Sequence, residues 1–468
     1  MIGIRSFFRI LIFYLVITGG MPLSNVRADA PPTDKKTIRL NLFQMIERAV
    51  AKSPETMAAQ NDLIAAESDL EAVRAAFYPR IESTAIVGPV QDAKAPIIIN
   101  NRIHDPSPGR SLSNINVFGQ LDFTVIQPLY TFGKLANRKN AARMGVDAQR
   151  QEIGKTADDI ALRVTGLYYA LIVAQTGLDA TLDAQNFFTD ARHRIEALLK
   201  VKSPNVSQSD LYMIDAFRAG VDRSRLEARK GMAVAEYALR ATLKIPPGIE
   251  FEAIPEPLEV KEETSEKLEA YVQQAYANRP EFKQLSAALE ASRYQAAAAE
   301  SDLYPSFFAA IKGFLAGAPG REHFYNPYIT DEFNRDDIGV IAGARWEIDF
   351  GIKKARIRRA RAEYNKLLDT RKRAQMDIPI QVANAYDELI EWKDSAKIYH
   401  NAAISSRKWV VSAFADFGMG LGTAENLLLA IEKYGENQGN YIGALYNYNM
   451  AMANLKYATG TIRDNGQE

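Results

Sequence analysis

The chain contains no cysteine among its 468 residues. That excludes disulfides, thiolate metal sites, cysteine nucleophiles and an N-terminal lipid-modified cysteine. Histidine is almost as scarce: His104, His193, His323 and His400 are the full set, and they share no metal-ligand spacing. Net charge is missing too, because 57 basic residues balance 57 acidic ones, so no global field argues for a nucleic-acid partner. The sequence has no nucleotide loop and no Ser-His-Asp arrangement. Neither an enzyme nor a bound cofactor or metal is expected. Beyond the N-terminus no run of about 18 apolar residues occurs, so no transmembrane helix is expected in the rest of the chain.

The N-terminus itself is distinctive. Arg5 and Arg9 precede an apolar run from Ile10 to Ile17, and small residues follow. That order is the layout of a secretory signal, assigned to residues 1–28 with cleavage after Ala28 or Ala30. An uncleaved anchor is the alternative, but the apolar run is short for a span of about 20 residues.

What the chain does have is a repeat. "SPE" at 53–55 answers "RPE" at 279–281, and "FYPRI" at 77–81 answers "LYPSF" at 303–307. Pro54 to Tyr78 and Pro280 to Tyr304 are both separations of 24 positions. Between these marks both copies are rich in Ala, Leu and Glu and favour helix. Beyond them, "YTFGK" and "IDFGIK" open very long helical stretches. Inside those, Asp159, Ile160, Val164 and Tyr168 align without gaps on Asp377, Ile378, Val382 and Tyr386. The reading is an internal two-fold duplication: repeat 1 over 38–245, a Pro-rich acidic linker at 246–265, repeat 2 over 266–460, and a tail at 461–468. Gly133 to Lys200 as one helix would extend about 100 Å. Gly145, Gly154, Gly166, Gly177 and Pro379 imply curvature or close packing along these helices.

Each repeat also holds a candidate β-hairpin, at about 81–129 and about 306–350. The four strands are placed near 81–95, 113–129, 306–318 and 336–350. From Asp337 to Phe350 the even positions are Ile338, Val340, Ala342, Ala344, Trp346, Ile348 and Phe350, while charged residues and glycines occupy most odd ones. Such alternation fits a half-solvated sheet or a membrane β-barrel strand equally well. Four strands cannot close a barrel and open edges are not viable in lipid, so a membrane sheet would have to be shared between chains.

Taken together, the two "[SR]PE" starts, the two "YP" junctions, "PLYTFGK" at 128–134 with its fainter copy "EIDFGIK" at 347–353, "GLGTAENLL" at 420–428 and "ANLKYATGT" at 453–461 resemble the TolC family of outer-membrane efflux and secretion channels, over about residues 38–460. The resemblance implies an α+β membrane protein. Four transmembrane strands per chain would form a shared 12-stranded barrel in a homotrimer, continuous with a long α-helical barrel in the periplasm. It implies residence in the outer membrane of a Gram-negative bacterium, contact with outer-membrane lipid, and docking with a periplasmic adaptor (membrane fusion) protein and an inner-membrane pump. The function implied is passive export of small molecules or polypeptide. A periplasmic coiled-coil adaptor, or a structural coiled-coil protein without a pore, is the alternative.

Three groups of residues gain candidate roles from the resemblance. In the family the periplasmic helix–turn–helix tips close the tube, often with rings of aspartate. Matching "GTAENLLLAIE" to that turn places Leu428 and Ile431 where those aspartates stand, with Asp210 and Glu425 nearby. The gate is then an acidic or an apolar ring, or these charges are simply solvated beside a turn. Tyr130, Phe132, Trp346 and Phe350 would form an interfacial girdle, core packing being the alternative. Lys134, Arg138, Lys353, Lys354 and Arg358 would meet lipid headgroups, a solvated cationic face being the alternative.

Overall fold

A computed structural model describes residues 37–94, 97–104, 115–260, 267–322 and 330–464. The expected signal segment, 1–28, and His323 lie outside the described residues. Asn41 opens the first helix, α1 (Leu42–Lys52): its side chain accepts from the Gln44 N–H at 2.9 Å, and the Gln44 side chain accepts from the Asn41 N–H at 3.2 Å. This reciprocal cap satisfies two of the amides that a helix start leaves bare. Ser53 then stops α1 in extended conformation, as a residue before proline prefers, and caps α2 (Pro54–Ala75) through its own oxygen. The second half repeats the device with Pro280 at the first position: α5 (Leu268–Asn278) halts at Arg279 and α6 (Pro280–Ser301) begins.

Each of these helices feeds a strand. From α2 the chain enters β2 (Arg80–Gln91), crosses a small hairpin β3 (Ile97–Ile99) and β4 (Arg102–His104), and returns on β5 (Ile115–Tyr130). From α6 it enters β7 (Ser306–Gly317) and returns on β8 (Arg335–Arg345). The four long strands form one antiparallel sheet in the order β2-β5-β7-β8. Observed strand limits lie close to those expected from sequence, except that β8 stops at Arg345 and the alternation beyond it, through Phe350, has no ladder. The β3–β4 hairpin falls between the first two expected strands, where no strand was placed.

After the sheet come the long helices: α3 (Lys134–Lys200) and α7 (Ile352–Gly418), 67 residues each, followed by α4 (Gln208–Thr242) and α8 (Ala424–Thr459). Gly133 sits at φ 84° between strand and helix, a left-handed turn that glycine adopts at no steric cost. At the matching junction the Asp349 carboxylate accepts from the Gly351 and Lys353 N–H groups, and these bonds hold its pKa below the ordinary value. Helix α7 runs unbroken through Pro379. The segment expected as linker contains β6 (Glu250–Ala253), which pairs in parallel with β1 (Thr37–Leu40), so the start of the described chain is tied to the middle.

The helical part has several cores. Met45, Ile160, Val164, Tyr168, Leu239 and Leu243 join α1, α3 and α4. Val382, Leu389, Tyr448 and Leu455 join α7 to α8. A third core occupies the far tip and is described with the site.

The sequence repeat has a structural counterpart in matching contacts. The Gln127 side chain donates to the Phe77 carbonyl at 2.9 Å, and the Trp346 indole donates to the Leu303 carbonyl at 3.0 Å. In each half, a side chain at the foot of the returning strand thus anchors the residue just before Tyr-Pro.

Candidate functional site

Register decides which residues share a face of the sheet. Val125 lies between Ile81 and Ile311, and Ile311 lies beside Val340. Following these rows, one face collects Ala85, Val87, Val117, Leu121, Phe123, Leu315, Ile338 and Ala344. The other collects Arg80, Glu82, Thr84, Gln120, Asp122, Thr124, Lys312, Asp337 and Arg345. The apolar face is uncovered within the chain, with Val340 82% and Val87 75% exposed. A bare apolar face opposite a charged one suits a barrel wall with lipid outside and water inside.

Cross-strand glycine–aromatic pairs pack across this sheet. Phe123 faces Gly313 and its ring lies over the glycine, so a Cβ there would come within 2.1 Å of the ring. Gly88 with Phe118 and Gly343 with Phe308 repeat the arrangement less tightly, at 3.0 Å. At the end away from the long helices, Arg321 pairs with the buried Asp331 at 3.3 Å, stacks over Phe333 at 5.0 Å and donates to the Gln91 carbonyl at 2.9 Å. This fastens the β7–β8 connection to the end of β2.

At the helix end of the sheet the expected girdle residues divide. Phe132 stacks on Tyr304 with ring centroids 5.1 Å apart and meets Tyr130 edge-on at 4.8 Å. The "YP" motif of the second half therefore packs on the "FG" motif of the first. Tyr304 stood out in the sequence as a helix-to-strand junction but not as a member of the girdle. Trp346 is anchored to Leu303, whereas Phe350 is fully exposed.

The proposed headgroup cations divide more sharply. Arg138, Lys354 and Arg358 are exposed. Lys134 is committed to Asp302 at 2.5 Å. Lys353 corrects the expectation: it is 8% exposed and donates back to the Glu347 carbonyl, so it steadies the turn before α7 and does not reach out to lipid.

The tip lies at the other end, where α3 turns into α4 and α7 into α8. Asn205 donates to the Gly420 carbonyl at 3.0 Å and Arg194 to the Gly418 carbonyl at 3.1 Å, tying the two turns together. Beneath them Phe188, Ile195, Ile214, Val410 and Phe417 pack with Leu427, Leu428 and Ile431. Leu428 and Ile431 are fully buried in this core, which corrects the apolar-ring expectation: a side chain enclosed by its own helices cannot line an opening. The spacing of Leu427, Leu428, Ile431 and Tyr434 is that of a helix face turned inward, a signal present in the sequence. Glu425 is exposed in the first turn of α8. Asp210 is engaged as a cap, its carboxylate accepting from the Ser207 N–H at 2.7 Å. Leu421, 79% exposed, and Met419 are the bare apolar side chains of the turn.

Among the described residues no helix is long and apolar enough to cross a membrane, and no cluster of metal-ligating side chains occurs. Residues 271–461 match the family model for outer membrane efflux proteins. The second half of the chain is therefore similar to that family. Its fold also matches solved outer-membrane channels. With CusC the TM-score is 0.73 at 14% identity, over 90% of this chain and 92% of that one. With VceC from Vibrio cholerae it is 0.71 at 15%, over 90% and 96%. With the open state of MtrE from Neisseria gonorrhoeae it is 0.70 at 16%, over 90% of each chain. A comparison with curated protein sequences returned no match.

Proposed function

We propose that this protein is the outer-membrane channel of a tripartite efflux system: a passive trimeric duct crossing the outer membrane of a Gram-negative bacterium and reaching through the periplasm. The observation that carries the reading is a four-stranded sheet with a bare apolar face and two unpartnered edges, mounted on helices about 100 Å long. In lipid such edges must be paired, and four strands are too few to close alone. Three copies would give twelve strands, within the known range of membrane barrels, and the polar face carrying Glu82, Asp122, Thr124 and Lys312 would line a wet interior.

In this reading two repeats, 38–245 and 266–460, each contribute a hairpin to the barrel and a helix pair to the tube below it. Residues 246–265 join them, and 1–28 direct export. The duct performs no chemistry and needs no cofactor. Energy and substrate selection come from an inner-membrane pump, and a periplasmic adaptor meets the helical tips, where Leu421 and Met419 offer apolar contacts. Any charge selection at the tip falls to Glu425, and to Asp210 only so far as its capping bond leaves it free. Small-molecule export and type I secretion of polypeptide both remain compatible with such a duct.

The test is purification in mild detergent followed by planar-bilayer recording. The expected result is a trimer that produces discrete conductance steps. A monomer that stays soluble without detergent and conducts nothing would refute the channel and favour the coiled-coil adaptor or structural reading.

A further inference from the structure

We propose that the exposed cations opening α3 and α7, chiefly Arg138, Arg143, Lys354 and Arg358, form a collar at the foot of the sheet that holds the phosphate headgroups of anionic phospholipid. The partner is a lipid surface, and the inference rests on the membrane-sheet reading above.

A chain that is neutral as a whole has segregated its charge here. Before its first acid, Asp147, α3 carries Lys134, Arg138, Lys139 and Arg143. Before Glu363, α7 carries Lys353, Lys354, Arg356, Arg358, Arg359 and Arg361. Some of these are spent inside the chain. Lys134 pairs with Asp302, Arg359 with Glu363 and Arg361 with Glu300, while Lys353 donates to the Glu347 carbonyl. Arg138, Arg143, Lys354, Arg356 and Arg358 are exposed, and none of them forms an ion pair among the described residues. Further along α3 the pattern changes: Arg150, Lys155, Arg163 and Arg192 each pair with a carboxylate.

Helix stability does not account for the bare run. Lys134 and Arg138, Lys139 and Arg143, and Lys354 and Arg358 are like charges four residues apart, a spacing at which they repel across one turn. Charges that weaken their own helix and find no acid within the chain are explained by an anion outside it.

Placement identifies that anion. The Lys139 ammonium lies 5.6 Å from the centre of the Phe77 ring, and the Phe77 carbonyl accepts from Gln127 at the foot of β5. The α3 cations therefore stand at the level where the sheet ends. On the α7 side, Trp346, Ile348, Phe350 and Ile352 are each at least 60% exposed, and Lys354 and Arg358 follow directly. Down the molecule, a bare apolar face gives way to aromatic rings and then to unpaired cations. A surface passing from hydrocarbon to headgroup phosphate calls for that order. Free phosphate would use the cations alone and leave the adjoining apolar side chains bare.

The test measures thermal dissociation of the trimer in dodecyl maltoside at constant ionic strength. Micelles are doped with phosphatidylglycerol or phosphatidylcholine, or inorganic phosphate is added to undoped ones. Phosphatidylglycerol should raise the dissociation temperature, whereas phosphatidylcholine and phosphate should not. In Lys354→Gln with Arg358→Gln, the phosphatidylglycerol needed for half that rise should increase about 25-fold, at about five-fold for each cation near an anionic surface. Lys366→Gln with Arg371→Gln removes two exposed cations farther along α7 and should leave the requirement unchanged. Equal stabilisation by phosphatidylcholine or phosphate, or an equal loss in the Lys366 and Arg371 variant, would overturn the collar. A lower dissociation temperature of the Lys354 and Arg358 variant in undoped micelles would overturn it too, by assigning these cations to contacts within the protein. Absence of a trimer in the wild-type protein would instead remove the membrane-sheet reading on which the collar depends.

Discussion

Substituting Leu428 tests the account of the tip most directly, because burial and pore lining have opposite consequences there. Leu428 is fully buried among Phe188, Ile195, Phe417 and Leu427, and truncating it removes a whole isobutyl group from a closed core. Leu428→Ala should cost about 3 kcal/mol per chain, within the range of roughly 2–5 kcal/mol for such truncations. The tip has its own core, so the cost should appear as local opening, and about 3 kcal/mol raises the open population roughly 150-fold. Limited trypsin digestion reads this well: Lys200 ends α3 and Lys202 lies in the α3–α4 turn, and cleavage there should accelerate by a factor of that order. The matched control is Leu421→Ala in the neighbouring turn, where the side chain is 79% exposed and its loss should leave cleavage within about two-fold of wild type. If Leu428→Ala instead left proteolysis unchanged and raised single-channel conductance, the side chain would have to face the lumen and this packing would be wrong.

Other expectations follow from the sheet and the helical core. Gly313→Ala should strain the β5–β7 pairing by about 1–3 kcal/mol, because Phe123 fills the space, whereas Gly339→Ala has no neighbour within 4 Å; trimer melting temperatures should separate the two. Val340→Lys, on the bare face, should hinder membrane insertion at roughly 2–4 kcal/mol near the midplane, while Gly339→Lys, on the other face, should be milder; equal recovery in the outer-membrane fraction would refute the assigned faces. Asp158 is buried, and desolvation raises its pKa while the Arg463 guanidinium at 2.5 Å opposes the rise and Glu281 and Asp159 add to it. A raised carboxyl pKa destabilises the folded chain once the group ionises, so the penalty is absent below the unfolded value and complete above the folded one. Arg463→Ala should enlarge it by about 1–3 kcal/mol at neutral pH, discounted because Arg463 is half exposed, and the melting-temperature gap from wild type should narrow as pH falls.

Strand periodicity was the most legible feature of this sequence, and the reason is physical. A sheet that is bare on one face and charged on the other alternates residue by residue, and the period is interrupted only at an irregularity such as that between Pro128 and Tyr130. The same alternation misled at the end of β8, because Trp346, Ile348 and Phe350 continue it past the point where β7 supplies a partner. Sequence records which way a side chain points, but a ladder needs a neighbour. The linker was misleading for the same reason: Pro and acidic residues dominate 246–265, yet Glu250–Ala253 forms a strand because Thr37–Leu40 is there to receive it.

The cationic helix starts were less legible because a run of charges does not say which side of a helix is inside. Consecutive cations from Lys353 onward look alike in a row, but Lys353 and Ile357 are one turn apart on the buried face, whereas Lys354 and Arg358 are outside. Leu428 was placed by the family's turn, whereas its own neighbours at helical spacing already pointed inward. The two halves of the molecule then supply what neither sequence pattern nor a single chain can. Wherever one half buries an aromatic ring or a strand edge against the other, the matching position on the far side is left bare. Tyr78 and Phe350, the counterparts of the stacked Tyr304 and Phe132, are 70% and 104% exposed.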